Sequence, residues 1–301
     1  ISMDEALFTL SMPANEPILE YLPGSPERME LKKQINKQTN TNLEIPLIIG
    51  GEEVCTSDLG TCSFPHDHGH ILGVYHKAGP REVKAAIKAS SEAWKEWSGM
   101  PWPERVSVFL RAAEMIAGPK RAEINAATML SQSKTVYQAE IDAACETVDF
   151  FRYNSHFVDR IYSEQPASTL GIWDRLEWRP LEGFVFAATP FNFTSIAANL
   201  AAAPAMMGNT VIWKPASSSV YSSYLVMKIL MEAGIPPGVI NFVPGAGSVV
   251  GKAVLDSRDL AGVHFTGSTS TFRHLWKSVG NNISNYRSYP RVVGETGGMI
   301  S

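Results

Sequence analysis

The 301-residue sequence is poor in cysteine: Cys55, Cys62 and Cys145 are an odd number and form no Cys-x-x-Cys pair. A chain of this length does not need disulfide staples, so the thiols point to a reducing compartment. Long apolar runs are also missing. The longest, Ile196–Met207, is interrupted by Asn199 and Pro204 and is too short to span a bilayer, which speaks against a membrane role. No long block of like charges occurs, and a net charge of −4 with a pI near 6.0 gives no reason to expect nucleic acid. No signal peptide or Arg-rich presequence is visible, and the first residue is Ile1 rather than Met. What is present is 45% hydrophobic and 19% charged residue content, that of a globular chain with a sizeable core.

The proline-rich stretch up to about residue 45 reads as an extended arm with a short helix near Glu27–Gln38. Ile45-Pro46-Leu47-Ile48-Ile49-Gly50-Gly51 reads as a strand entering a hairpin turn. From Pro80 the apolar spacing becomes helical: Glu82–Trp97, Pro103–Ala117, Arg121–Ser131 and Val136–Tyr162 are predicted as four amphipathic helices. Ile172–Arg179 alternates apolar and charged residues, so it is predicted as a two-sided edge strand able to pair with another subunit. After Gly183 strand and helix alternate: strands Phe184–Ala188, Thr210–Trp213, Val239–Val243, Gly262–Phe265 and Arg291–Val293 are separated by helices. That rhythm predicts an α/β fold with a Rossmann-like, doubly wound parallel sheet covered on both faces. The expected division is an arm and helical part (1–162), bridging strands (163–182) and a nucleotide-binding βαβ core (183–301).

In such sheets ligands bind beyond the carboxyl ends of the strands. The loops there are Thr189–Thr194, Lys214–Ser217, Pro244–Gly247, Thr266–Thr269 and Glu295–Gly298, each rich in glycine, proline or small polar residues. Gly245, Gly247 and Gly251 give G-x-G-x-x-x-G, which departs from the dinucleotide fingerprint and fits an ordinary strand-to-helix turn as well as a phosphate loop. Gly267-Ser268 before a helix reads either as a backbone approach to a pyrophosphate or as a plain N-cap.

Five motifs occur in order: Pro190-Phe191-Asn192-Phe193, Gly208–Pro215, Gly234–Gly245, Phe265–Thr269 and Gly294–Gly298. Together they resemble the aldehyde dehydrogenase superfamily. Gly24–Arg28, Gln138–Ala144, Arg179–Val185 and Thr189–Thr194 further resemble its pyrroline-5-carboxylate dehydrogenase branch, which acts in proline catabolism. The likeness runs over nearly the whole chain.

The resemblance implies NAD-dependent oxidation of L-glutamate γ-semialdehyde to L-glutamate, with NADP not excluded. It implies a small-molecule aldehyde as substrate, a homodimer or higher homo-oligomer, and the mitochondrial matrix. In the family a cysteine thiolate attacks the aldehyde, and a carboxylate-activated water later hydrolyses the thioester. Asn192 matches the oxyanion donor, although Asn192-Phe193-Thr194 is also a glycosylation sequon. Glu295 matches the general base; on its own it would read as a solvated turn residue. Lys214 matches the lysine at the adenosine ribose, with Ser217 where an acidic residue commonly follows. Thr189, Gly245, Gly267 and Ser268 match cofactor contacts. Phe193 and Glu146 fall where the branch lines its aldehyde pocket, although a mid-helix glutamate reads equally well as surface charge. His66-Asp67-His68-Gly69-His70 has donors at alternate positions, but no partner cluster completes a metal site and the resemblance implies none. The three cysteines do not fall at the nucleophile's position. The chain ends Gly297-Gly298-Met299-Ile300-Ser301 where the family pattern continues Gly-Gly-Lys-Asn into a catalytic domain. The expectation is therefore an incomplete copy that is inactive alone, or a non-catalytic NAD-binding or subunit-interaction module.

Overall fold

Pro26 opens the first helix, α1 (Pro26–Thr39), and the Ser25 hydroxyl accepts from the Arg28 N–H at its start. The computed structural model describes residues 9–297, and the tail from Gly298 to Ser301 lies outside the described residues. After α1 come β1 (Leu43–Ile45), β2 (Leu47–Ile49) and β3 (Glu52–Val54). Gly50 and Gly51 take φ of 61° and 83°, conformations that a side chain would resist, and turn β2 back antiparallel onto β3. Next, β4 (Leu59–Phe64) and β5 (Asp67–His76) form an antiparallel hairpin. β1 pairs parallel with β5 to complete a three-stranded sheet.

The predicted helices follow as α2 (Pro80–Trp97), α3 (Trp102–Ala117) and α4 (Arg121–Gln132). The fourth is divided: α5 (Val136–Ala139), a π-helical stretch over Glu140–Glu146, then α6 (Thr147–Ser163). The π stretch holds two fully buried carboxylates, Glu140 and Asp142, and both find hydrogen-bond donors. Such stretches often mark functional positions.

The second half alternates as read: β6 (Phe184–Ala188), α7 (Thr194–Met206), β7 (Thr210–Lys214), α8 (Val220–Glu232), β8 (Ile240–Phe242), α9 (Gly247–Leu255), β9 (Leu260–Gly267), α10 (Thr269–Asn281) and β10 (Arg291–Thr296). Its sheet has seven strands in the order β10-β9-β6-β7-β8-β2-β3. The five from the second half are parallel, and the β2–β3 hairpin extends the edge antiparallel. The N-terminal region thus lends two strands to the sheet of the second half.

Alternate residues of each strand face opposite layers. Val185, Ala187, Val211, Trp213 and Phe242 pack with α3, α6, α7 and α8. Phe184, Phe186, Ile212, Val263 and Phe265 pack against α2, α9 and α10. Both faces are covered, as the continuous apolar strands require. From β8 the chain crosses back to lay β9 on the far side of β6. The sheet's switch point therefore lies between β6 and β9, where the loops after these strands diverge.

One expectation fails. Residues 172–179 form no strand in the isolated chain. The segment makes a single bridge, Thr169 to Ile172, and its other main-chain hydrogen bonds run to side chains: the Asp174 N–H donates to the Ser168 hydroxyl, the Leu176 N–H and carbonyl meet the Gln165 amide, and the Trp178 carbonyl accepts from the Tyr162 hydroxyl. Ile172, Trp173, Leu176 and Trp178 are exposed. Alternation makes a segment competent to pair, but a strand needs a ladder of N–H and C=O partners.

Candidate active site

A cleft of about 730 Å³ opens at the β6/β9 switch point, lined by Ala188, Thr189, Lys214, Gly247, Ser248 and Phe265 among others. Thr189 is buried in the loop after β6, and its hydroxyl accepts from Trp213 Nε1 at 3.1 Å. Lys214 ends β7, and its ammonium donates to the Pro215 carbonyl at 3.0 Å. Among the described residues no carboxylate pairs with it, and burial holds its pKa below the usual lysine value. A desolvated cation at the wall of an open cleft favours an anionic or hydroxyl-rich ligand.

Glycines shape this cleft in two ways. Gly247 begins α9, and a Cβ built there would lie 4.0 Å from Lys214 Cε, so its bareness keeps that wall open. Gly245 does not line the cleft. A Cβ there would come within 3.1 Å of the Ala78 carbonyl and 3.0 Å of Val250, so it serves close packing of the loop. Gly267 and Ser268 follow β9. The Ser268 hydroxyl caps α10 by accepting from the Thr271 N–H at 3.2 Å. Thr271, one turn further on, lines the cleft.

On the other side of Phe265, which borders both, lies a second cleft of about 610 Å³. Glu146, Phe193, His264, Thr266 and Glu295 share its walls. Asn192 sits exposed in the loop between β6 and α7, one residue before Phe193. Glu295 stands exposed on β10, in register with Thr266 of β9, whose hydroxyl reaches its carboxylate at 3.5 Å. Phe193 is about one-third exposed, and the Lys134 ammonium lies 4.1 Å over its ring. The structure therefore gathers Glu146, Phe193 and Glu295 into one cleft, and Thr189 and Lys214 into the other.

The support for the Asn192–Phe193 loop comes from residues the sequence reading passed over. Phe193 is the N-cap of α7 and has no side-chain acceptor for the helix's first N–H groups. Asp142, in the π stretch, supplies it: its two oxygens accept from the Thr194 N–H at 3.0 Å and the Ser195 N–H at 2.9 Å. Asp142 also accepts from Lys134 Nζ at 2.6 Å and the Ser195 hydroxyl at 2.8 Å. The same hydroxyl lies 2.9 Å from the Glu146 carboxyl. A hydroxyl has one proton to give, so Ser195 serves both carboxyls fully only when Glu146 is protonated and donates in return. Burial, reinforced by the Asp142 charge, indeed pushes the Glu146 carboxyl up. Glu146 is thus no solvated surface charge. The only advance signal for Asp142 was its place in the distinctive Gln138–Ala144 stretch.

Glu140 anchors the N-terminal arm. It is fully buried and accepts from Arg121, the Leu19 N–H, the Tyr21 hydroxyl and Asn125. Burial pushes its carboxyl up, but the Arg121 hydrogen bonds and the other donors outweigh that and hold it below the usual range. The 66–70 histidines take separate partners: His66 meets the Ser133 hydroxyl, His70 the Thr39 carbonyl, and both rings stack on Phe64. Burial pushes the thiols of Cys62 and Cys145 up to about 12, which makes them inert.

The sequence profile of the aldehyde dehydrogenase family matches residues 60–299. The chain belongs to the aldehyde dehydrogenase family. Within that family it is 47% identical over 295 residues to delta-1-pyrroline-5-carboxylate dehydrogenase of Agaricus bisporus, a match covering 97% of this chain and 54% of that one. It is 49% identical to the mitochondrial delta-1-pyrroline-5-carboxylate dehydrogenase of Rattus norvegicus, over 95% of this chain and 51% of the relative. Among solved structures, the NAD-bound enzyme of the same name from Mycobacterium tuberculosis superposes with a TM-score of 0.96 at 50% identity, over 98% of this chain and 55% of that one. The NAD-bound Thermus 1-pyrroline-5-carboxylate dehydrogenase gives 0.89 at 29% identity, over 97% and 56%. The chain spans about half the length of the curated relatives it matches. Among the described residues no helix is long and apolar enough to cross a membrane.

Proposed function

We propose that the protein oxidises L-glutamate γ-semialdehyde, the open form of 1-pyrroline-5-carboxylate, to L-glutamate, and that this chain carries the cofactor-binding part. The observation that carries the reading is the pair of clefts meeting at Phe265: one is walled by the desolvated Lys214, the other by Glu146, Phe193 and Glu295. When bound, NAD+ supplies the hydride acceptor. Lys214 would hold its adenosine ribose, Thr189 would contact it from the cleft wall, and the open wall at Gly247 would admit its phosphates near the start of α9. Gly267 and Ser268 border its pyrophosphate. Ser217 presents no carboxylate against a 2′-phosphate, so NADP+ is a second candidate ligand.

Around the aldehyde, Asn192 donates its amide to the developing oxyanion and Glu295 takes a proton from the hydrolytic water. Glu146 and Phe193 wall the aldehyde pocket. The exposed apolar strip Ile172–Trp178 supports homo-oligomerisation, in which a second subunit supplies the ladder that this segment lacks. The mitochondrial names of several relatives support the matrix as its location.

Calorimetric titration of the chain with NAD+, alongside an assay of NADH formation from glutamate semialdehyde, tests the reading. Saturable NAD+ binding that Lys214→Ala weakens is the expected result. A heat trace without saturation, or one indifferent to Lys214, would sink the cofactor assignment.

A further inference from the structure

Away from both clefts, Glu44 of β1, Cys55 just after β3 and His76 at the end of β5 bring their donor atoms within 4.8 Å of one another. They are the one such group among the described residues. We propose that these three side chains bind a Zn2+-class cation, with water as the fourth ligand.

The donor set is one nitrogen, one sulfur and one carboxylate oxygen, which suits a borderline, tetrahedral cation rather than the all-oxygen shells of calcium or magnesium. His76 is 5% exposed, and its Nε2 faces the Glu44 carboxylate at 2.9 Å. Its Nδ1 lies 2.8 Å from the Thr56 nitrogen and 2.7 Å from the Thr56 oxygen. Nδ1 therefore has a Thr56 main-chain partner in either tautomer. With Nε2 protonated, it donates to Glu44 while Nδ1 accepts the Thr56 N–H. With Nδ1 protonated, it donates to the Thr56 carbonyl, the outer hydrogen bond usual for a metal-bound imidazole, and Nε2 turns a lone pair toward Glu44. That second state sets a lone pair against a carboxylate oxygen, two acceptors that a cation between them would satisfy. Exchange of the Nε2 proton for a cation thus moves the Nδ1 contact from the Thr56 N–H to the Thr56 carbonyl.

Glu44 and Cys55 are exposed, which gives the cation an entry path and leaves both side chains free to close on it at the usual distances of roughly 2.0–2.3 Å. On binding, the Cys55 thiol proton and the Nε2 proton pass to water. A nucleophilic cysteine relay fits less well, since it would need one ring nitrogen on the thiol and the other on the acid, and the Thr56 main chain holds Nδ1.

The position has a structural consequence. Ala78, two residues beyond His76, donates its N–H to the Pro244 carbonyl at 2.8 Å. A cation here would staple β1, the Cys55 segment and β5, whose continuation braces the loop ahead of α9.

Titrating the full chain with Co2+ reads the site directly, because a thiolate ligand gives a charge-transfer absorption band. One equivalent of Co2+ developing that band is expected, with the band lost in Cys55→Ser and the affinity lowered at least about tenfold in Glu44→Gln. Zn2+ should displace the Co2+ and raise Tm in the parent chain but not in Cys55→Ser. Both variants change exposed side chains, and circular dichroism verifies that they fold. The proposal is overturned by a parent chain that binds Co2+ without a thiolate band, or by a band that survives Cys55→Ser.

Discussion

Asp142 takes the main-chain N–H and the hydroxyl of Ser195 on the same carboxylate oxygen, at 2.9 and 2.8 Å. The two residues lie far apart in sequence, and this contact fixes the start of α7 and with it the Asn192–Phe193 loop. A buried acceptor that serves two N–H groups, a hydroxyl and an ammonium is costly to remove, because the Lys134 charge and the helix donors are left unpaired. Asp142→Ala is therefore expected to lose about 3–5 kcal/mol of stability. Asp142→Asn, which keeps an acceptor oxygen but not the charge, should lose less. Urea unfolding measures both, and a loss below about 1 kcal/mol in the alanine variant would show that the cap is dispensable.

The two glutamates at the ends of the π stretch should shape stability against pH with opposite signs. Glu140 is held below its ordinary value of 4.5, so its contribution is fully present above that value and is lost as pH falls through the lower folded pKa. Glu140→Gln should be less stable at neutral pH and should flatten the acid limb. Glu146 is raised, so the folded state disfavours its ionised form, and its contribution improves as pH falls through the raised value. Glu146→Gln, which keeps a partner for Ser195, should gain stability at neutral pH. Unfolding midpoints from pH 7 down to pH 3 decide between these outcomes and a profile shared by both variants.

Lys214 should matter to ligand and not to fold. Its ammonium is desolvated without a carboxylate partner, so removing it relieves a burial penalty. Lys214→Ala is expected to keep or raise Tm while weakening NAD+ by at least about tenfold, the loss of one hydrogen bond from a charged donor. A variant that loses stability and leaves NAD+ affinity intact would contradict the assignment.

Gly245 in the loop after β8 and Gly247 at the start of α9 make a paired test. Gly245→Ala forces a methyl to 3.0–3.1 Å from Val250 and the Ala78 carbonyl, and should cost about 1–3 kcal/mol as overpacking. Gly247→Ala meets nothing closer than 4.0 Å and should leave Tm unchanged while narrowing the wall beside Lys214 and weakening NAD+. Thermal melts read beside calorimetry separate the two effects.

The second half of the fold was legible because its strands are buried on both faces, so short apolar runs between turn residues had one sensible reading. Observed bounds fall within one or two residues for most of β6–β10. The β4–β5 hairpin was not legible. Asp67–His76 carries glycines and three histidines, and register shifts around Ser63 break the alternation that marks a strand. The Ile172–Arg179 pattern misled for the opposite reason: the alternation is there, but among the described residues nothing supplies it with a ladder. Of the residues that line the two clefts, Thr189, Lys214 and Glu295 stand in motifs at strand ends and were legible there. Lys134, Asp142 and Ser195 were not, because their role exists only once the π stretch meets the start of α7.

That meeting also sets where this protein can be cut and rejoined. Within seven residues, Glu140–Glu146, one carboxylate grips the N-terminal arm while another grips the helix behind the site loop. The arm and the loop are therefore inherited together in any chimera. A graft of residues 189–200 from a relative brings a helix start shaped to its own buried acid, and should fold well only when residues 132–146 travel with it.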